Sequence, residues 1–440
     1  MHERLLERSL AAVWHPCTQM KHHGDGGLPL LPIVRAQGAW LYGDDGRRYL
    51  DGISSWWVNL FGHCHPRINA AIRDQLERLE HVMLAGFTHE PVVELSERLS
   101  ALTGGALGHC FYASDGASAS EIALKMSAHH WRNRGRLEKN RFLCLAGGYH
   151  GETVGALGVT DIPIFRDAYG PLLRQATVLP SPDARNAASP LAAAQAAARA
   201  LEEHLVRHHA ETAALIVEPL VQCAAGMAMH DAEYLRLARE LCDRHEVHLI
   251  CDEIAVGFGR TGSFFAHEQA GMRPDFLCLS KGITGGYLPL SVVMTREAIY
   301  RSFYDDETAR GFLHSHSYTG NPLACRAALA TLDIFDGDDV LAANRIRGDH
   351  IDAGLAPLAE HPAVRHYRRR GMIFAFDVHA DAGFARRCRQ AALERELLLR
   401  PIANETGATV YLMPPYALDD SEIDHLCQAT AEALEKAITT

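Results

Sequence analysis

The sequence predicts an α/β fold: a large domain with a mostly parallel sheet between helices, plus a smaller α+β domain. Three observations lead there. Short apolar runs alternate with helix-like stretches through most of the chain, the pattern of strand–helix–strand units that build a parallel sheet. The pattern changes character near residue 330. The length, 440 residues, exceeds what one hydrophobic core usually fills, so more than one domain is expected.

Taken in order, the first 60 or so residues carry a hairpin pattern, AWLYGDDGRRYLDG, with a Gly-Asp-Asp-Gly turn between aromatic flanks. They are expected to pack with the C-terminal domain. Six apolar runs then read as strands: 108–114, 141–147, 213–219, 247–253, 275–282 and 290–295. Helices are expected over 120–135 and over 231–245, the second with Asp231 as N-cap and Glu233 in its first turn. A loop over 179–190 leads into an Ala-rich helix with Ser189 as cap and Pro190 at its first position. After about 330 come a helical connector, a strand GMIFAFDV, a helix, a strand VYLMPPY and a closing helix. The expected organisation is an N-terminal segment 1–60, a large domain 61–330 and a small domain 331–440.

Composition narrows the function. Lys+Arg is 43 and Asp+Glu 54, a formal charge of −11, and there is no long basic run. Neither nucleic acid nor an anionic membrane is expected as the main partner. No stretch approaches the roughly 18 apolar residues of a membrane span, and MHERLLERSLAAVWHP lacks a signal peptide's apolar run. A cytoplasmic protein is expected. The eleven cysteines are odd in number and form no CxxC pair, so they read as reduced thiols packed as small hydrophobes.

Two motifs resolve to bland readings. GFGRTG at 257–262 fits GxGxxG, but the preceding strand ends in Asp252–Glu253 and no amphipathic helix follows. A dinucleotide site needs a tight strand–turn–helix, so a Gly-rich loop is expected. The histidines of HCHP (63–66), HSHS (314–317) and the doublets at His22, His129 and His208 lack metal-site spacing. No metal is expected.

The strongest constellation lies elsewhere. VHLICDE places Asp252 at the C-terminal end of a buried strand, and DFLCLSKG places Lys281 just after the next. Ligands of open α/β sheets bind at such ends, so both side chains are expected in one crevice; taken alone, they also fit a buried ion pair. SDGASASE sets the backbone amides of Gly116 and Ala117 before a helix, where they can cradle an anion. GGYHGET supplies Tyr149, whose ring can stack on a heterocycle. Phosphate cradle, stacking ring, buried carboxylate and lysine together describe a pyridoxal 5′-phosphate (PLP) site.

With those residues in place, the run LICDEIAVGFGRTGSFFAHE…PDFLCLSKGITGGYLPLSVVMT resembles the class III (ω-) aminotransferases of fold type I. More narrowly, WHPCTQM, DGISSWWVNLFGHCHP, EPLVQCAAGM, GNPLACRAAL, LRP and YLMPPY are similar to the branch that aminates 8-amino-7-oxononanoate in biotin synthesis. The resemblance runs nearly end to end. It implies that Lys281 carries the cofactor and moves the proton, that Asp252 faces the pyridine nitrogen, and that Tyr149 stacks on the ring. It implies that Gly116 and Ala117 contact the phosphate, although the family usually has Ser or Thr where this chain has Ala117. A further phosphate contact is expected from a second copy, with Ser317 in place of the family's threonine and His316 in place of a proline. Trp56 and Trp57 are implied to line the substrate pocket with Ser315, and Arg400 to hold the long-chain carboxylate. Cys17 stands where many relatives have a tyrosine. The resemblance thus implies a homodimer with shared active sites and small-molecule substrates.

The amino donor stays open between S-adenosylmethionine and lysine. Other readings are an ω-aminotransferase acting on ornithine, 4-aminobutyrate or a β-amino acid, a racemase or decarboxylase on the same cofactor, and a silent protein that keeps the pocket. SSWW and YLMPPY speak against the first of these, and Lys281 against the last.

Overall fold

The computed structural model describes residues 2–23 and 30–439. They form two units, one from residues 1–66 and 342–440, the other from 67–341. In the first unit, β1 (Ile33–Gln37), β2 (Trp40–Gly43) and β3 (Arg48–Asp51) make an antiparallel meander in which Trp40 faces Leu50. The expected turn closes it. Asp45 accepts the Arg47 N–H at 3.0 Å, and Gly46 takes φ +83°, a conformation that suits a residue without Cβ.

The second unit holds β4 (His109–Ala113), β5 (Arg141–Leu145), β6 (Thr177–Leu179), β7 (Thr212–Val217), β8 (Val221–Gln222), β9 (Ala228–Met229), β10 (His248–Asp252), β11 (Phe276–Leu279) and β12 (Ser291–Thr295). Apart from the β8–β9 ribbon they form one sheet in the order β4-β12-β11-β10-β7-β5-β6. Strand β12 runs antiparallel to both neighbours, and the remaining pairs are parallel. Every residue of β7, β10 and β11 is buried. Both faces of a parallel sheet are covered, which is why these strands read as unbroken apolar runs. Ile122 and Met126 from a helix pack with Ile216, Ile250, Phe276 and Val293 of the sheet. Strand β6 has no counterpart among the expected strands: it is three residues long, and two of them are exposed.

Two helix starts differ from expectation. The helix expected from 120 begins at Gly116, because Asp115 caps it by accepting the Ser118 N–H at 2.9 Å. The helix expected from 231 spans Glu233–Arg244 with Ala232 as boundary residue, yet the Asp231 carboxylate still takes the Glu233 N–H at 2.8 Å. At Pro190–His208 the Ser189 hydroxyl takes the Ala192 N–H at 3.1 Å, and Pro190 opens the helix. GFGRTG folds as a loop followed by a short 3₁₀ turn, Ala266–Ala270, and the buried Glu253 carboxylate ties it down through the N–H groups of Ala266 and His267.

The first unit is completed by β13 (Val364–Arg370), β14 (Ile373–His379), β15 (Leu397–Leu398), β16 (Ile402–Asn404) and β17 (Gly407–Leu412). Its helices include Phe384–Leu393 and Asp420–Thr439. Strands β13-β14-β17-β16 form an antiparallel sheet. Strand β15 instead pairs in parallel with β3, Leu397 against Leu50, which ties the N-terminal meander to the C-terminal segment. Of the eleven cysteines, eight are buried. Burial pushes the Cys144 thiol up to about 12, so such thiols are inert.

Candidate active site

The register of the large sheet sets three strand ends level. Val217 lies beside Cys251, and Asp252 beside Cys278. The residues that leave β7, β10 and β11 therefore start from one edge, the place where α/β sheets bind ligands. Asp252, the last residue of β10, is only 4% exposed. Glu218, directly after β7, is buried and takes the N–H groups of Tyr149 and Cys223 on its two oxygens, each at 3.0 Å. Burial, reinforced by the Asp252 charge, pushes its carboxyl up to about 7. Lys281 follows β11 with φ +46°. Withdrawal from water holds its amine below the ordinary lysine value, while Asp252, Cys223 and Glu218 act to raise it.

A second element meets this edge. Gly116 and Ala117 are the first two residues of the helix Gly116–Asn133, and their N–H groups have no acceptor among the described residues. Asp115 serves the next amide, so two donors remain at the positive end of the helix. Close packing fixes their place. A Cβ at Gly116 would lie 2.9 Å from Ile254, two residues beyond Asp252, and a Cβ at Gly151 would lie 2.7 Å from the Cα of Ala117. The helix start thus abuts both the β10 exit and the Tyr149 loop. Tyr149 is half-buried there; its ring meets Phe165 edge-on, and its hydroxyl donates to Glu152 at 2.9 Å.

Sequence reasoning missed His150. Its Nδ1 lies 2.7 Å from Oδ2 of Asp252, both side chains being buried. The carboxylate accepts, so the imidazole places its proton on Nδ1. Oδ1 of Asp252 takes the Ile254 N–H at 3.1 Å. The only sequence signal was adjacency to Tyr149. Whether Glu218 touches the cofactor stays open in the sequence, since nothing in EPLVQC announces that its carboxylate takes the N–H groups of Tyr149 and Cys223.

The structure groups Lys281, Asp252, Tyr149, Gly116 and Ala117. Ser315 and Ser317 are exposed on a loop whose His314 takes the Lys125 ammonium at 2.7 Å. His316 lies 3.1 Å from His314, Nε2 to Nε2. In the other unit, the Arg400 guanidinium lies 4.1 Å from the Trp56 ring centroid. Trp57 turns inward instead, donating from its indole to the Tyr411 hydroxyl at 3.3 Å. Cys17 is exposed, with φ +50°.

A model of the family Aminotransferase class-III matches residues 22–434. An adenosylmethionine-8-amino-7-oxononanoate aminotransferase from Helicobacter pylori is 45% identical over 443 residues, covering 99% of this chain and 98% of its own. The crystal structure of an enzyme of that name from Methanocaldococcus jannaschii has a TM-score of 0.91 at 33% identity, over 98% of this chain and 99% of its own. The structure of an amine transaminase from an uncultivated Pseudomonas species, in PLP-bound form, has a TM-score of 0.90 at 32% identity, over 97% of this chain and 99% of its own. Alike in sequence and in backbone along almost its full length, the chain belongs to the class III aminotransferases, of fold type I.

Proposed function

We propose that the chain transfers an amino group, with PLP, from S-adenosylmethionine to 8-amino-7-oxononanoate, giving 7,8-diaminononanoate for biotin synthesis. One observation carries the reading. Lys281 and Asp252 stand together at level strand ends in a chain related almost end to end to enzymes named for that substrate pair.

The residues present fit PLP. Two helix-terminal N–H groups with no acceptor among the described residues suit its phosphate. Buried Asp252, already holding two donors, suits the ring nitrogen. Half-buried Tyr149 offers a face to the ring, and Lys281 suits the aldehyde. When bound, the cofactor supplies an electron-withdrawing ring conjugated to the carbon that bears the migrating nitrogen. Lys281, less readily charged than an exposed lysine, takes a proton from one carbon and returns it to the next. The same motion reversed serves the second half of the transfer. Asp252, negative and fixed by His150, favours the protonated ring nitrogen. Ala117 supplies a backbone amide but no hydroxyl, so the phosphate relies further on Ser317 and His316 of a second copy. Arg400 holds the acceptor's carboxylate with its bidentate fork, and Trp56, Ser315 and Cys17 border the chain of the substrate, while Trp57, expected beside them, packs inward against Tyr411. The working enzyme is a homodimer. Eight buried thiols packed as small hydrophobes suit the reducing cytoplasm.

A second reading, an ω-transaminase of other specificity, draws on the likeness to an (S)-enantioselective omega-transaminase from Thermomicrobium roseum, with a TM-score of 0.92 at 30% identity. Half-reactions separate the two. S-adenosylmethionine is expected to bleach the absorbance band of the PLP-loaded enzyme. Bleaching by ornithine, with none by S-adenosylmethionine or lysine, would overturn the biotin reading; bleaching by lysine alone would change the donor and keep the acceptor. Borohydride treatment and peptide mapping are expected to place the covalent label on Lys281.

A further inference from the structure

Four consecutive non-glycine residues in the first unit have positive φ: Ser54 at 51°, Ser55 at 46°, Trp56 at 71° and Trp57 at 73°. The middle two have ψ of 52° and 46°. The Trp57 N–H donates to the Ile53 carbonyl at 2.8 Å, and the Val58 N–H to the Ser54 carbonyl at 3.0 Å. Residues 54–57 are therefore one left-handed helical turn, closed by the same i to i−4 bonds as an ordinary helix. L-residues visit this region singly, because Cβ crowds the backbone, and such strain persists only where surroundings hold it and clusters at functional sites.

The surroundings that hold it are specific. The Ser54 hydroxyl donates to the Met413 carbonyl at 2.7 Å, in a buried position. The Ser55 hydroxyl donates to Oδ2 of Asp51 at 2.7 Å, and Nε2 of His63 lies 3.1 Å from the same oxygen. Asp51 closes β3, is 0% exposed, and donates its own N–H to the Ala39 carbonyl at 2.8 Å. A backbone carbonyl at Ser54 and a fixed carboxylate at Ser55 thus anchor the first half of the turn. The reversed handedness sorts the two tryptophans that follow. Trp57 enters the core, 7% exposed, against Tyr411, whereas Trp56 stays 38% exposed with its face against Arg400. A bidentate guanidinium backed by an aromatic face has its in-plane donors turned outward for a carboxylate.

We propose that Asp51, Ser54 and Ser55 are positioning residues: they lock a left-handed turn that sets Trp56 behind Arg400 and so fixes the clamp for the substrate carboxylate. This rests on the reading that Arg400 binds that carboxylate.

The test compares Ser55→Ala, Ser54→Ala, Asp51→Ala, Asp51→Asn and Arg400→Gln in PLP-loaded enzyme. Three quantities are read: KM and calorimetric Kd for 8-amino-7-oxononanoate, the rate of the amino-donor half-reaction, and the melting temperature. Ser55→Ala and Asp51→Ala are expected to raise KM and Kd roughly tenfold, the scale of a small misplacement of a binding group, with the donor half-reaction within about twofold of wild type. Asp51→Asn keeps an acceptor for the Ser55 hydroxyl and is expected to recover most of the affinity. If Asp51→Ala does not fold, the two serine variants, each losing one hydroxyl, decide the matter. Unchanged KM and Kd in both, while Arg400→Gln weakens binding, overturns the positioning role and leaves the carboxylate reading standing. Equal losses in both half-reactions, or a lowered melting temperature with affinity intact, also overturn it. Unchanged affinity in Arg400→Gln itself overturns the reading beneath.

Discussion

A single buried hydrogen bond decides how well Asp252 can serve as a fixed charge. Its Oδ2 meets Nδ1 of His150 at 2.7 Å where water does not reach either side chain. Removing one donor from a buried carboxylate costs on the order of 2 kcal/mol, because the lost partner is not replaced by solvent. We expect His150→Phe to lower kcat by roughly 10–100-fold, the rate equivalent of that energy, with KM for both substrates little changed. His150→Asn, whose amide can donate from nearly the same position, should recover part of the loss. Steady-state kinetics on the PLP-saturated enzyme checks both, and a large KM effect with kcat intact would show that the imidazole serves the substrate instead. This partner lies 102 residues from Asp252, which is why it was illegible. Asp252 and Lys281 could be read because each ends an apolar run, and strand ends in a parallel sheet share an edge. A hydrogen bond between a loop and a strand end leaves no such periodic trace. The left-handed turn at Ser54–Trp57 was hidden for a related reason: the sign of φ is advertised by glycine or asparagine, and here it falls on serine and tryptophan.

The helix Gly116–Asn133 does two jobs, one at each end. Its N-terminus carries the two amides proposed for the cofactor's phosphate, and Gly151, with φ +123°, is packed against it. A side chain at 151 would meet the backbone of Ala117, which cannot swing aside. Gly151→Ala should therefore displace the first helical turn and weaken PLP retention at least tenfold, measured by cofactor release on dialysis, while Gly135→Ala, at an open loop position, should not. The other end bears on acid stability. His130 packs on His248 with ring centroids 4.8 Å apart, and burial pushes His130 down to about 4 and His248 well below its usual value. A histidine with a depressed folded pKa binds fewer protons folded than unfolded, so stability rises with pH across this window. The contribution is complete above the unfolded value near 6.5 and is lost as pH falls from there toward 4. For His130 the loss amounts to on the order of 2–3 kcal/mol. Urea midpoints measured from pH 7 to pH 4 should fall less steeply in His130→Gln than in the wild type, and parallel slopes would refute the assignment. The helix body was legible from its apolar positions. Its start was not, because Gly-Ala-Ser-Ala-Ser offers no amphipathic period, and only the Asp115 cap marks the boundary.

At the scale of the whole molecule, the phosphate cradle proposed above draws two backbone amides from one chain. Ala117 adds no hydroxyl to it, and Ser317 is exposed on its own loop. That loop is nonetheless preshaped. His89 donates to the Gly320 carbonyl at 2.8 Å, Asn321 donates to the Glu80 carbonyl at 2.9 Å, and Thr319 clasps both the N–H and the carbonyl of His316. An ordered turn that leaves Leu313 77% and Tyr318 64% exposed suits the proposed burial against a second copy. Light scattering is expected to give twice the chain mass of 48.4 kDa for the wild type. Leu313→Glu combined with Tyr318→Glu puts two like charges into that contact, whose burial unpaired is prohibitive, and should give monomers. Those monomers keep Lys281, Asp252 and Tyr149, so any loss of PLP follows from assembly alone. We expect cofactor retention to fall at least tenfold, and Ser317→Ala, which removes one hydroxyl and leaves the apolar contact intact, to remain dimeric with a smaller fall. A monomeric variant that held PLP and turned over like the wild type would show each chain to be self-sufficient, and Ser317 and His316 would then have no role in trans.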